Sequence, residues 1–132
     1  MVYLTLQRQS FKTIQMNVDL KENAEIEIES TFSFHVNYNE DNSACIAVLK
    51  QMLRHKSDSE QLNILVETNG QFECEGIVSD DTKKEAHVMA YNLLFPYVQN
   101  LIARLTVDAG LPPLMIRSSK MEPKDVVLSD RG

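Results

Sequence analysis

Five aromatic side chains are the residues of this chain best suited to binding another molecule. Aromatic rings give a large contact area with loose geometry, so a set of them can line a groove for the apolar side chains of an extended peptide. The alternative is that each belongs to an ordinary core, since each lies on a periodic apolar face. The groove candidates are Phe32, Phe34, Phe72, Phe95 and Tyr97.

Residue patterns for catalysis or metal binding are missing from the sequence. His35, His55 and His87 lie far apart, with no i, i+4 pairing and no acidic partner in a ligand pattern. No Ser or Cys stands in a nucleophile-elbow context, and the chain has only 4 glycines, so no glycine-rich loop can cradle phosphate. We therefore predict that the protein is not an enzyme and has no catalytic residue, metal or cofactor.

Two cysteines, Cys45 and Cys74, sit alone in apolar runs. A disulfide or a metal pair is the alternative, but no second sulfur lies at ligand spacing along the chain. We predict buried free thiols in a reducing cytoplasm.

Composition excludes several classes of protein. The chain has 132 residues, 43% hydrophobic and 24% charged, which fits one globular domain. Its formal net charge of −6 and scattered basic residues argue against nucleic acid or an anionic membrane as partner. No stretch approaches 18 apolar residues and the N-terminus does not resemble a signal peptide, so we expect no membrane insertion and a cytoplasmic location. An acidic surface favours solubility and a basic or unfolded polypeptide partner.

Apolar alternation predicts long β-strands in the first part of the chain. Residues 24–38 alternate with period two except at Ser30, which indicates a half-buried strand with a bulge or bend at that serine. Residues 44–49 are apolar on both parities and predict a central strand covered on both faces. Residues 62–76 alternate again, and Asn69-Gly70 within them predicts a tight turn or bulge. Alternation near residues 2–20 predicts a first strand or a broken pair.

One long helix is predicted over residues 82–108, capped by Asp80, Asp81 or Thr82 and stopped by Gly110. Its apolar stripe is formed by Tyr91, Leu94, Val98, Leu101 and Leu105. Pro96 lies in its interior, where a proline costs roughly 3 kcal/mol, so strong packing on both sides of a kink is expected. Pro112 and Pro113 follow the stop. Residues 1–116 then form a single domain, and residues 117–132 a polar, flexible tail.

Strands followed by one dominant helix indicate an α+β fold: an antiparallel sheet of about four long strands with one long kinked helix on one face. One helix covers only one face of the sheet. The strand at 44–49 therefore needs a second cover, and we expect a partner subunit to supply it in a homo-oligomer, either a dimer or a tetramer.

The motifs around the helix resemble the SecB family of protein-export chaperones. The similar segments are LFPY at 94–97, LPPLMI at 111–116 and ILVETNGQFECEG at 64–76, and the resemblance spans roughly residues 3–116. It marks Leu94, Pro96, Gly110, Pro112 and Pro113 as the structural motif.

The resemblance implies a cytoplasmic homotetramer without catalytic chemistry that holds non-native polypeptides in extended form and can pass them to an export motor. The chain departs from the family where acidic residues dock the motor, because Thr13, Asn17 and Leu65 fall near those positions, and it lacks the family's C-terminal helix. Two functions are therefore predicted as alternatives. One is a holdase linked to export, and the other is an oligomeric adaptor or specialised toxin–antitoxin chaperone with one defined protein partner.

Overall fold

The computed structural model describes residues 1–21 and 27–128. Its elements are β1 (Tyr3–Val18), β2 (Ile28–Tyr38), β3 (Ala44–His55), β4 (Leu62–Glu75), α1 (Asp80–Asp108) and a short 3₁₀ helix at Pro123–Asp125. The four strands form one antiparallel sheet in the order β1-β4-β3-β2, and α1 packs on one face of it. The predicted α+β fold class is confirmed.

The alternation predicted for residues 24–38 is confirmed over β2, while residues 24–26 lie outside the described residues. Phe32, Phe34 and Val36 point toward the helix side and are half-buried, and the residues between them are exposed. The bulge or bend predicted at Ser30 is wrong, because Ser30 keeps a regular pairing with Leu53 of β3. Register shifts occur instead in β1, between Leu6 and Arg8 and between Phe11 and Thr13.

The turn or bulge predicted at Asn69-Gly70 is also wrong, because β4 runs straight through it. Gly70 pairs with Ala47 of β3 and with Gln9 of β1. A Cβ atom on Gly70 would lie 2.7 Å from Leu94 Cδ2 and 2.9 Å from a Phe72 ring carbon. Gly70 therefore allows Leu94 on α1 to approach the sheet closely. Close approach of another element is, besides a bulge, one of the reasons for a glycine inside a strand.

The N-terminal cap of α1 is Ser79, one residue before the predicted candidates. The Ser79 hydroxyl accepts a hydrogen bond from the Thr82 amide at 3.2 Å, and the Thr82 hydroxyl accepts one from the Ser79 amide at 2.8 Å. Asp80 and Asp81 occupy the first turn, where carboxylates favour the positive end of the helix dipole. Thus the three predicted candidates lie within the first turn, and serine supplies the cap itself.

The buried face of α1 includes the predicted stripe residues Tyr91, Leu94, Val98 and Leu101. The helix continues through Pro96, which is exposed together with Asn92, the residue four positions before it. Since the carbonyl of Asn92 loses its helical partner on the solvent side, water can satisfy it. The predicted stop is confirmed, because Gly110 follows the helix with φ of 85°.

Residues 111–116 fold back along α1 and extend its cover of the core. The Thr106 hydroxyl accepts a hydrogen bond from the Leu114 amide at 2.9 Å, and Gln99 Nε2 donates to the Ile116 carbonyl at 2.8 Å. Pro112 and Pro113 are exposed within this segment, and Ile116 is buried. The two prolines prevent further helix, while the polar contacts hold the returning chain in place.

The outer face of the sheet has no cover within the described chain. On β3 the residues facing α1 are buried, but on the opposite face Ile46 is 45% exposed and Met52 is 40% exposed. The predicted two-sided burial of residues 44–49 is therefore not reached inside one chain. A second cover for these residues requires another molecule.

Replacing Leu94 by alanine should destabilise the fold by about 2–5 kcal/mol, because Leu94 is fully buried where α1 touches Gly70. The neighbouring Leu93 is 39% exposed, so Leu93→Ala is the matched control and should cost much less. Urea unfolding followed by circular dichroism measures both. Equal losses in the two variants would contradict the assignment of the helix face.

Candidate functional site

Four aromatic rings form one connected cluster between β2 and α1, which we call the aromatic bay: Phe32, Phe34, Tyr91 and Phe95. The ring centroids of Phe32 and Tyr91 are 5.3 Å apart, and those of Phe34 and Tyr91 are 5.5 Å apart. Phe95 follows Tyr91 by one helical turn at 5.8 Å. These separations are typical of favourable aromatic pairs, so the bay is a contiguous apolar cluster.

The sheet and the helix each position half of the bay. Period two on β2 places Phe32 and Phe34 on the same face, opposite Gln51 and Leu49 of β3. Spacing of four along α1 places Tyr91 and Phe95 on one side of the helix. Because β2 is an edge strand, its two phenylalanines remain half-buried while Tyr91 is fully buried beneath them.

His87 lies at the rim of the bay, with its ring 4.9 Å from that of Phe34 in an edge-on contact. Burial, with a smaller contribution from nearby His35, lowers the pKa of His87 below its usual value. The imidazole is therefore neutral at pH 7 and adds no charge to the rim of the bay.

A cavity of about 450 Å³ opens over the bay. One wall is made by Phe32, Phe34 and His87, and the other by residues of the segment that follows Ile116. This volume accommodates a few side chains of a bound peptide. Among the polar groups nearby, Gln51 Nε2 donates to Ser30 Oγ at 2.7 Å, and Tyr91 Oη accepts from the Ser119 amide at 3.0 Å. The wall formed by β2 and α1 therefore offers mainly contact area, while the opposite wall adds the charged residues Lys120 and Asp125.

The five groove candidates fall into three places. Phe32 and Phe34 line the cavity, and Phe95 belongs to the same ring cluster but is only 5% exposed. Phe72 is 2% exposed and packs beneath the helix beside Gly70. Tyr97 is 42% exposed and lies on another side of α1, next to Leu93. Geometry therefore separates two accessible rings from two core rings and one distant ring.

Tyr91 and His87 were missed as site residues by sequence reasoning. Tyr91 appeared only as part of the helix stripe, and His87 only as a rejected metal ligand. Their spacing from Phe95 along one side of a helix was the available signal. To predict that this side of the helix packs against Phe32 and Phe34, one must also know the strand order, which the alternation of apolar residues does not reveal.

The two thiols also meet unexpectedly. Cys45 and Cys74 are free and buried, as predicted, but their sulfurs are 3.4 Å apart on β3 and β4. Burial raises the pKa of both thiols, which keeps them protonated.

In the part of the chain that the structure describes, no group of three or more His, Cys, Asp or Glu has the arrangement of a metal site. The described helices also include none with the length and apolarity needed to cross a membrane.

Comparison with known proteins gives one family and one fold. The family model described as "Preprotein translocase subunit SecB" matches residues 2–121. A solved structure of the Mycobacterium tuberculosis Rv1957 SecB-like chaperone, in complex with a ChAD peptide from the Rv1956 HigA1 antitoxin, is similar with a TM-score of 0.71 at 16% identity. The match covers 90% of this chain and 92% of that one. No curated protein sequence matches the chain.

Acidification should destabilise the fold through His87. Its pKa is lower in the folded state than the ordinary 6.5, so the unfolded chain takes up the proton first as the pH falls. The contribution is constant above pH of about 6.5 and is lost as the pH falls from there through the lowered pKa of the folded state.

Urea unfolding at several pH values between 5 and 8 measures this loss, with His87→Gln as the comparison. The difference in stability between the two proteins should change below pH of about 6.5 and stay flat above it. A difference that is independent of pH would show that His87 titrates alike in both states.

Proposed function

We propose that this chain, which belongs to the SecB family, is a chaperone that holds non-native polypeptides by their apolar side chains in the aromatic bay. The observation that carries the proposal is the pair of half-buried phenylalanines, Phe32 and Phe34, on the open side of a continuous ring cluster. Folded proteins bury the side chains that such a surface binds, so the bay favours chains that have not folded.

The chemistry of the bay supports a client of mixed sequence. Ring faces accept aliphatic and aromatic side chains without fixed geometry, and the neutral His87 ring adds contact area without a charge. The net charge of −6 attracts basic segments of an unfolded chain over a longer range. No reaction is part of the proposal, and the protein acts by binding alone.

Self-association in the cytoplasm belongs to the same proposal. Three exposed apolar surfaces support it: Ile14 on the edge strand β1, Leu93 and Tyr97 on α1, and Ile46 and Met52 on the outer sheet face. An edge strand of 16 residues also offers unpaired backbone groups along its length. A dimer or tetramer would cover these surfaces and leave the bay open.

A second candidate is a chaperone with one defined partner. The structure that supports it is the Rv1957 SecB-like chaperone, which holds a peptide from an antitoxin. The positions expected to dock an export motor also differ here. Thr13, Asn17 and Leu65 lie on the outer face of the sheet, and none is acidic. A pull-down that recovers one dominant protein and little else would favour this candidate over the promiscuous holdase.

Phe34→Ala should weaken client binding by about tenfold, because the bay would lose a central ring. The assay is fluorescence anisotropy with a permanently unfolded probe, fluorescein-labelled reduced and carboxymethylated lactalbumin. Tyr97→Ala is the control, since Tyr97 is exposed but lies outside the bay. Thermal unfolding of each variant identifies the temperature range in which all are folded.

Two results would contradict the proposal in different ways. Loss of binding in Tyr97→Ala with none in Phe34→Ala would move the site to the exposed side of α1. Failure of the unaltered protein to bind the probe or to slow aggregation of a refolding client at several-fold excess would remove the holdase function.

Light scattering coupled to size exclusion should give a mass of two or four times the 15.1 kDa of one chain. Association is expected because the exposed apolar side chains occupy three separate surfaces. A mass of 15.1 kDa at micromolar concentration would contradict the proposed assembly.

A further inference from the structure

The segment after Ile116 crosses the open side of the aromatic bay. We call residues 117–128 the C-terminal strap. They contain the 3₁₀ helix Pro123–Asp125, and Met121 and Val126 line the same cavity as Phe32 and Phe34. Val126 is only 6% exposed, although the next residue, Val127, is 92% exposed. A tail that was predicted to be polar and flexible therefore places one aliphatic side chain against the candidate site.

Few polar contacts attach the strap to the rest of the protein. Within residues 117–128, the Glu122 amide bonds to Asp125 Oδ2, the Asp125 amide to the Glu122 carbonyl, and Lys124 pairs with Glu122, all inside the strap. The hydrogen bond that the described strap makes to another element is that of the Ser119 amide to Tyr91 Oη, at 3.0 Å. Burial of Val126 and Met121 is therefore the main attachment, which is the same interaction that an unfolded client offers.

The fit between strap and bay is also incomplete, because a cavity of about 450 Å³ remains between them. Phe32 and Phe34 remain half-buried beneath it rather than closed off. Interior side chains are close-packed, whereas this space is open to solvent at the surface. An exchangeable occupant, by contrast, leaves room in which a competing side chain can enter before the first one leaves.

We infer that the C-terminal strap is a built-in occupant of the aromatic bay, and that a client displaces it by inserting an aliphatic side chain where Val126 sits. The inference rests on the proposed function. It specifies the client as a polypeptide segment with a short aliphatic run that follows polar residues, the pattern of the strap at Val126, Val127 and Leu128. The strap also sets a minimum affinity that a client needs, since the client must compete with a segment that is always present on the same chain.

The first test compares Val126→Asp with Ser118→Asp in the full chain. Both variants add one negative charge to the strap, but Val126 is buried in the cavity lining, whereas Ser118 is exposed and lies outside that lining. A strap that is closed about 90% of the time lowers the apparent affinity about tenfold, so Val126→Asp should bind the labelled lactalbumin probe about tenfold more tightly than the unaltered protein. Ser118→Asp should bind it with unchanged affinity.

Equal affinity in all three proteins would overturn the inference, and so would weaker binding by Val126→Asp, which would make the strap part of the groove wall. Thermal unfolding confirms that each variant is folded at the assay temperature. Ser118→Asp also controls for the effect of the added charge on a basic client.

The second test does not depend on any client. A fluorescein-labelled synthetic peptide of residues 117–128 is added to full-length Val126→Asp protein, whose own strap no longer fills the bay. The peptide should bind, and the same peptide carrying Val126→Asp should not. Absence of peptide binding would overturn the inference on its own. Peptide binding without binding of the lactalbumin probe by any variant would leave the strap contact intact and remove the proposed holdase function.

Discussion

The contact between Leu94 and the backbone of Gly70 fixes where the helix crosses the sheet. A Cβ atom on Gly70 would lie 2.7 Å from Leu94 Cδ2, so the missing side chain at Gly70 lets Leu94 pack directly against β4. That contact sits at the middle of both elements and near the centre of the core. Tyr91 and Phe95 are neighbours of Leu94 in sequence, so their position over β2 follows from the seating of this one leucine. The aromatic bay is thus a consequence of core packing rather than a separate construction.

A single helix on a four-stranded sheet leaves apolar surface in predictable places. The helix covers the centre of one face, so the edge strands are covered only in part. On β2 the partial cover leaves Phe32 and Phe34 half-buried, and on β1 it leaves Ile14 exposed. On the far face nothing in the described chain covers Ile46 and Met52. The same shortage of cover therefore supports both features of the proposal, a bay for a guest and surfaces for association between copies.

Sequence patterns predicted the strands and the helix better than the irregular positions within them and the contacts between them. A period of two identified β2, and apolar residues spaced three and four apart identified the helix stripe. Both patterns are local, because burial on one face of an element repeats along its own sequence. Asn69-Gly70 gave a false turn, since the reason for that glycine is Leu94, which is 24 residues away. The meeting of Cys45 with Cys74, and of Phe34 with Tyr91 and His87, likewise depends on pairing between distant segments. Those contacts depend on the order of the strands in the sheet and on where the helix crosses it. Local patterns in a single sequence do not specify either.

The strap shows why a site of this kind needs its own competitor. An aromatic surface without directional hydrogen bonds does not select by geometry, because any apolar side chain gains from burial there. Left open, such a surface would also bind the exposed apolar groups of neighbouring copies. A weakly attached segment on the same chain raises the affinity that an occupant needs, and it does so equally for every competitor. Selection then falls on the chain with the most contacts outside the bay, which is a long unfolded polypeptide or a partner shaped to the surrounding surface.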